Sequence, residues 1–222
     1  MLLAIDTSTQ WMGLALFDGS QVIGEMVWQT HNHHTVELAP AIDSLFKRSG
    51  ILPERLKALA VALGPGSFTS LRIGLAVAKG LALAQHLPVV GVPTLDFLVA
   101  AQPLEDVALA GVLQAGRGRL AVGWYSPGEN GWQADGDAKL CTAQDLAQEI
   151  RKPTLICGEL SADDRQVLGR KWKNVRLASP AQSLRRPSYL AEIAWKRYQD
   201  NQVDDVITLS PIYLHVTEDI PG

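Results

Sequence analysis

The stretch whose reading decides the fold is Gly64 to Gly80, GPGSFTSLRIGLAVAKG. An apolar run, Ala58 to Leu63, feeds directly into Gly64-Pro65-Gly66, and a helical pattern opens at Ser67 to Thr69 and runs to about Ala84. Glycine at 64 and 66 permits backbone angles that a Cβ forbids, and Pro65 sets the bend between them. Ser67 and Thr69 are both able to cap the first helical turn. The expected product is a strand, a tight turn and a helix N-terminus. That arrangement can receive an anion, and it also serves as plain punctuation. It is not a Walker A loop, since no Gly-Lys-Ser/Thr follows, and it lacks the third glycine of a dinucleotide fingerprint.

The helix itself carries more information. Leu71, Ile73, Leu75, Val77, Leu81 and Leu83 cover almost every face, Gly74, Ala76, Ala78, Gly80, Ala82 and Ala84 lie between them, and only Arg72 and Lys79 are charged. A helix that is apolar nearly all round is buried on more than one side. The pattern therefore predicts a core helix with one face left for a partner chain.

Working outward, Leu2–Ile5, Gly13–Phe17 and Val22–Trp28 read as strands, the last two joined by the hairpin signal Asp18-Gly19. Thr35 opens a helix to about Ser49 with Val36, Ala39, Ile42, Leu45 and Phe46 on its apolar stripe, and His34-Thr35 is its expected cap. Lys57–Leu63 is a strand before the central turn, Pro88–Val92 a strand after the central helix, and Thr94 to about Ala101 a short helix. The order recurs beyond a boundary near Gln102-Pro103. Val107–Leu113, Leu120–Tyr125 and Trp132–Leu140 read as strands, Thr142–Ile150 as a helix, Thr154–Cys157 as a strand, Ala162–Leu168 as a helix, and Pro187 to about Asp200 as a last helix. This is a repeat of topology, not of sequence. It predicts a bilobal α/β protein with lobes at 1–103 and 104–222, the final segment being a candidate to pack back on the first lobe.

Composition bounds the function. The chain has 222 residues, 47% hydrophobic and 19% charged, with a formal net charge of −3. It holds no lysine or arginine run, and so no sequence footprint of tight, independent nucleic-acid binding. Cys141 and Cys157 do not make a disulfide framework, which fits a reducing cytoplasm. Asp6 interrupts the N-terminal apolar run, which has no basic residue before it, so the run is not expected to be a signal peptide. The longest uncharged run, Gly80 to Leu95, carries His86, Pro88 and Pro93 and breaks too early to be a membrane span.

Leu3-Ala4-Ile5-Asp6-Thr7-Ser8, His34-Thr35 with Leu38 and Pro40, Gly64-Pro65-Gly66-Ser67-Phe68-Thr69 with Arg72-Ile73-Gly74, and Gly91-Val92-Pro93-Thr94-Leu95 together resemble the TsaB (YeaZ) family. Pro211-Ile212-Tyr213-Leu214 is similar to that family's C-terminal Pro-x-Tyr-Leu-Arg, with His215 in place of the arginine. The likeness is dense through about the first hundred residues and sparse after them. It implies an actin/Hsp70/sugar-kinase (ASKHA) fold of two RNase H-like lobes, each a three-stranded meander followed by alternating helices and strands. It also implies a non-catalytic part in bacterial synthesis of threonylcarbamoyladenosine, the modified base beside the anticodon in tRNAs that read codons beginning with A. There the larger paralogue TsaD transfers the threonylcarbamoyl group and the ATPase TsaE joins the two. The implied partners are TsaD as a heterodimer, TsaE, a second copy when the chain is alone, and tRNA only through the complex. ATP or ADP is used by the complex, and no cofactor is held stably by this chain.

The same resemblance directs attention to particular residues. Two histidines four apart bind a metal in TsaD, and the matching positions here are Thr94 and Leu98, which are not ligands. In this fold phosphates lie between two hydroxyl- and glycine-rich hairpins. Asp6-Thr7-Ser8-Thr9 corresponds to the first, so Asp6, Thr7 and Ser8 are the candidate nucleotide contacts, with local turn-tying hydrogen bonds as the alternative role. The second hairpin reads Gln114-Ala115-Gly116-Arg117 where the family shows Asp-Ala-Arg, and Gln114 is a poor substitute for the anionic oxygen that magnesium wants. His31, His33 and His34 read as a polar turn, not a metal site. The candidate partner surface is His34, Thr35 and Leu38 on the first helix and Leu71, Arg72, Gly74, Leu75, Ala78 and Lys79 on the central one. The rival readings are an ATP-dependent small-molecule kinase of the same fold and a direct tRNA-binding protein.

Overall fold

The structure, a computed structural model, describes residues 1–214 and divides into two compact units, 1–101 with 185–212 and 102–184 with 213–214. The first unit is built on a five-stranded sheet. Its strands are β1 (Leu2–Asp6), β2 (Trp11–Phe17), β3 (Val22–Gln29), β4 (Ala58–Ala62) and β5 (Val89–Val92), in the spatial order β3-β2-β1-β4-β5. β1, β2 and β3 form the antiparallel meander, while β4 and β5 join in parallel. Parallel strands need crossovers. They are supplied by α1 (His34–Ser49) with a single 3-10 turn at Pro53–Arg55, and by α2 (Phe68–Gln85). α3 (Thr94–Ala100) follows β5.

Both faces of this sheet are covered, and side-chain size sorts between them. Successive residues of a strand point to opposite faces. Leu3, Ile5, Leu59 and Val61 meet Leu38, Ile42, Leu45 and Phe46 of α1 and Leu75, Ala78 and Ala82 of α2. The opposite face presents Ala4, Ala15, Ala58, Ala60 and Ala62, and on these small side chains sit Phe97 of α3 and Leu190, Ala191 and Ala194 of α6 (Pro187–Gln199). Chain order assigns α6 to the lobe at 104–222, but its apolar face belongs to the first sheet. The row of alanines is the physical reason, because only there can a helix backbone approach so closely. Trp195 of α6 completes the layer, edge-on to Phe17 with ring centroids 6.1 Å apart.

The N-terminus of α6 is fastened by a carboxylate. Glu25 accepts the Ser188 amide at 2.9 Å and Arg186 Nε at 2.9 Å. Burial raises the Glu25 pKa, but the Arg186 guanidinium and the Ser188 hydrogen bonds outweigh it, and the group titrates below its ordinary 4.5.

The second unit repeats the plan. β6 (Ala108–Gln114), β7 (Leu120–Gly128), β8 (Gly131–Ala134), β10 (Thr154–Gly158) and β11 (Val175–Leu177) lie in the order β11-β10-β6-β7-β8, and β9 (Lys139–Cys141) also pairs with β7. α4 (Ala143–Glu149) and α5 (Ala162–Gly169) each begin with a reciprocal capping box, Thr142 with Asp145 and Ser161 with Asp164. Ala143, Leu146, Ala147 and Ile150 with Leu168 close over Val112, Leu120, Val122 and Ile156. The single strand expected over Trp132–Leu140 is split into β8 and β9, because Gly136 takes φ +96° and turns the chain. β11, three residues at a sheet edge, is too short to show a pattern in the sequence.

Two measurements follow from this packing. Ala60→Leu adds volume beneath α6 in a filled layer and is expected to cost about 1–3 kcal/mol in urea unfolding. Glu25→Gln removes an anchor that is fully present above the unfolded carboxylate pKa and fades as pH falls through the lower folded one. Its stability deficit, about 1 kcal/mol at pH 7 because Arg186 is half exposed, is therefore expected to shrink below pH 4.

Candidate functional site

The end of β1 is the chemical centre of the first unit. Asp6 lies at the strand terminus and the chain then turns through Thr7, Ser8 and Thr9, all buried. Asp6 Oδ1 accepts the Ser8 amide at 2.8 Å, and Oδ2 accepts Arg185 Nε at 2.8 Å. The two side chains of this ion pair are only 2% and 1% exposed. Arg185 Nη2 donates to Thr9 Oγ1 at 2.9 Å and to the Trp11 carbonyl at 3.1 Å. His34, the first residue of α1, lends its Nε2 to the Thr9 carbonyl at 2.8 Å.

The Gly64–Ser67 turn closes on this cluster. Gly64 has φ +105° and its peptide bond to Pro65 is cis. Thr94 joins turn to strand end: its Oγ1 receives the Gly64 amide at 3.0 Å and lies 2.7 Å from Ser8 Oγ, while its own amide donates to the Gly64 carbonyl at 2.7 Å. The Ser67 amide donates to the Ser8 carbonyl at 2.7 Å, and Thr7 Oγ1 donates to the Ser70 carbonyl at 2.7 Å. Glycine is required at 66 and 74, where a Cβ would come within 2.2 Å of Ser8 O and of Thr7 Oγ1.

Asp6, Thr7 and Ser8 are each buried and bonded within the unit, Asp6 tying the turn locally through the Ser8 amide. A carboxylate without water needs a cation beside it, and Arg185 supplies it. The turn does not present Ser67's amide to a ligand, since Ser8 takes it, and of the two expected caps only Ser67 acts, toward Ser70. The cap position of α1 falls on His33, which makes no side-chain cap bond, and not on His34-Thr35. His33 faces Glu37 instead, 3.7 Å away.

The partner-surface residues divide by burial. His34, Leu38, Leu71, Gly74, Leu75 and Ala78 are all buried within this chain. Thr35 and Arg72 are exposed, and Lys79 is half-buried with its Nζ donating to the Ile207 carbonyl at 3.0 Å. The outward face of α2 is Phe68, Arg72, Ala76, Gly80 and Leu83. Phe68 and Leu83 are 53% and 63% exposed, and Val36 on α1 is 67% exposed. The Arg72 guanidinium lies 3.8 Å from the centre of the Phe68 ring. Both faces of α2 are apolar, so periodicity could not tell the inward one from the outward.

In the second unit, the β6–β7 turn holds Gly116, Arg117 and Gly118 at φ +72°, +52° and +69°. Gln114 turns its amide nitrogen to Asp164 Oδ2 at 2.8 Å and to the Glu159 carbonyl at 3.3 Å. Both thiols are held protonated: burial pushes Cys157 up to about 12, and burial with Glu149 and Asp145 nearby pushes Cys141 up to about 11. Neither is a nucleophile at neutral pH. The Pro211–Leu214 segment bonds back to the turn through the Ile212 amide and the Leu63 carbonyl, 2.7 Å apart. His215 lies outside the described residues.

Arg185 and Thr94 organise this site, and the sequence reading did not assign either a structural role. The available signal was an acid at the end of a buried strand, which demands a cation, and the Arg185-Arg186 pair before the helix start at Pro187-Ser188 was a place to look. Arg185→Ala strands the Asp6 carboxylate and is expected to cost about 3–5 kcal/mol in chemical unfolding. In the Asp6→Asn, Arg185→Met pair the loss is expected to be clearly smaller than the sum of the two single changes.

Comparison with known proteins places this geometry. The family model described as TsaD, tRNA N6-adenosine threonylcarbamoyltransferase, matches residues 24–156. The tRNA threonylcarbamoyladenosine biosynthesis protein TsaB of Bacillus subtilis is 32% identical over 98% of this chain and 95% of its own length. The TsaB of Haemophilus influenzae is 28% identical over 96% and 92%. Among solved structures, YeaZ from Pseudomonas aeruginosa superimposes with a TM-score of 0.75 at 22% identity, over 95% of this chain and 99% of that one. The ROK hexokinase of Thermus thermophilus shares the fold at a TM-score of 0.51 and 11% identity, over 90% and 99%. The fold is thus of the actin/sugar-kinase type, and the chain belongs to the TsaB (YeaZ) branch of the TsaD-like family.

Proposed function

We propose that this chain serves tRNA threonylcarbamoyladenosine biosynthesis as the non-catalytic partner of a TsaD-type transferase, docking through the outward faces of α1 and α2. The observation that carries the reading is the filled end of β1. The carboxylate that would position a metal and phosphate is neutralised by Arg185. Thr94, at a position where TsaD carries a metal-binding histidine, is spent on Ser8 and Gly64. Gln114 contributes no anionic oxygen in the second unit. A chain so arranged supports a partner and does not run the chemistry itself.

The docking face is the outward stripe of α2, flanked by Val36. Small residues at 76 and 80 let another helix approach closely, while Phe68, Arg72 and Leu83 provide anchors of the kind that dominate interfaces. Two copies of the chain would use the same stripe, so the homodimer and the TsaD complex compete for it. TsaE joins the assembly in this reading, and ATP or ADP is used by the complex and not by this chain.

Light scattering tests the proposal, with the chain alone and mixed with its TsaD paralogue. Self-association that converts to a one-to-one complex is expected. Gly80→Arg, at a position where a Cβ meets nothing within 4 Å, is expected to abolish both while leaving the melting temperature unchanged. Ala78→Arg is not a test of the surface, because Ala78 is fully buried and the change unfolds the unit. Unimpaired assembly of the Gly80→Arg chain, or ATP turnover by the chain on its own, would overturn the reading.

A further inference from the structure

The second unit brings two short clusters of positive charge together. The loop between α4 and β10 carries Arg151 and Lys152, and the turn between α5 and β11 carries Arg170, Lys171 and Lys173, all exposed. The two segments are tied together: Asn174 Nδ2 donates to the Arg151 carbonyl at 3.2 Å, and the Thr154 amide donates to the Asn174 carbonyl at 2.8 Å. β10 and β11 run parallel, so these loops lie at the same end of the sheet. None of these five cations pairs with a described carboxylate; Arg176 beside them pairs with Glu105. The other carboxylates nearby in the chain are Glu149, which is exposed, and Asp163 and Asp164 in the first turn of α5, exposed and half-buried.

An aromatic ring and a groove occupy the same place. Trp172 is 73% exposed, an unusual position for the largest apolar side chain. Lys173 Nζ stands 5.5 Å from its ring centre. A groove of about 180 Å³ runs beside it, lined by Val107, Pro153, Trp172, Lys173, Asn174 and Arg176 among others. The chain as a whole carries a net charge of −3, whereas this end gathers five exposed cations.

We infer that this end of the second unit is an RNA-docking surface, in which Trp172 stacks an unpaired base at the mouth of the groove and the Arg151/Lys152 and Arg170/Lys171/Lys173 loops hold the flanking phosphates. An aromatic platform set among cations is how proteins grip single-stranded segments without reading their sequence. A membrane surface fits less well, since one tryptophan with only Pro153 and the half-buried Val107 as apolar neighbours offers little area to bury in lipid. The cations come from two local clusters, Arg151-Lys152 and Arg170-Lys171-Trp172-Lys173, about twenty residues apart and brought together by the fold. Choosing tRNA as the RNA rests on the proposed function.

Fluorescence anisotropy of a labelled, unmodified tRNA transcript against the full chain tests the inference, over a series of salt concentrations. Saturable binding is expected, weakened about tenfold by Trp172→Ala. Lys171→Glu with Lys173→Glu is expected to weaken it at least as much and to flatten the salt dependence by roughly 0.7 per lost phosphate contact. Arg55→Glu with Lys57→Glu, exposed cations of the first unit, should bind as the wild type does. Absence of binding, equal losses in the control pair, or Trp172-dependent sedimentation with phosphatidylserine vesicles in place of tRNA binding would each overturn it. The TsaD assembly assay separates the two proposals. Trp172→Ala should leave the complex mass unchanged, and a chain that ignores TsaD yet loses tRNA on Trp172→Ala would refute the docking reading while sustaining this one.

Discussion

The first unit depends on one buried ion pair. Asp6 ends the central strand with no access to water, and an unpaired carboxylate there would not be tolerated. Arg185, 179 residues away in the chain, meets it and adds bonds to Thr9 and Trp11. The residue after it begins the entry into α6, so the same contact delivers that helix to the face of the sheet made of alanines. Glu25 then fastens the helix start through Arg186 and Ser188. Electrostatics chooses the segment and small side chains let it settle.

That solution has a functional consequence. A carboxylate at a strand end with hydroxyls behind it has the makings of a metal and phosphate site in this fold. Once Arg185 occupies it and the hydroxyls of Thr7 and Ser8 turn to Ser70 and Thr94, the place becomes a structural joint. The proposed role as a partner rather than a catalyst follows from this spending of polar groups. It also explains why the glycine turn is needed without any ligand: Gly66 and Gly74 make room for the backbone and side chains of the Asp6–Thr9 turn itself.

The two units put one topology to different use. In the first, a second helical layer covers the meander, and the outward side of α2 stays apolar. In the second, short capped helices cover one face, and the loops at the start of β10 and β11 gather cations around Trp172. The proposed protein-docking stripe and the inferred RNA-docking surface thus belong to separate units.

What the sequence by itself determined was the alternation of strands and helices. Leu2–Ile5 and the Ala58–Ala62 run are apolar throughout, the Asp18-Gly19 turn and Thr142 at the start of its helix mark ends, and these local signals depend only on neighbouring residues. The doubled meander was legible for the same reason, as was the family likeness carried by the Gly64–Gly74 block. Only the tertiary structure decided which face of α2 turns inward, because an all-round apolar helix has no preferred side until the sheet offers one. It alone assigned α6 to the first unit, since the alanines it packs on lie more than a hundred residues earlier. The pairing of Asp6 with Arg185 and the gathering of Arg151, Lys152, Arg170, Lys171 and Lys173 are decided in the same way. Charges distant in sequence meet only after backbone pairing has fixed where their strands end, and no local pattern records that distance.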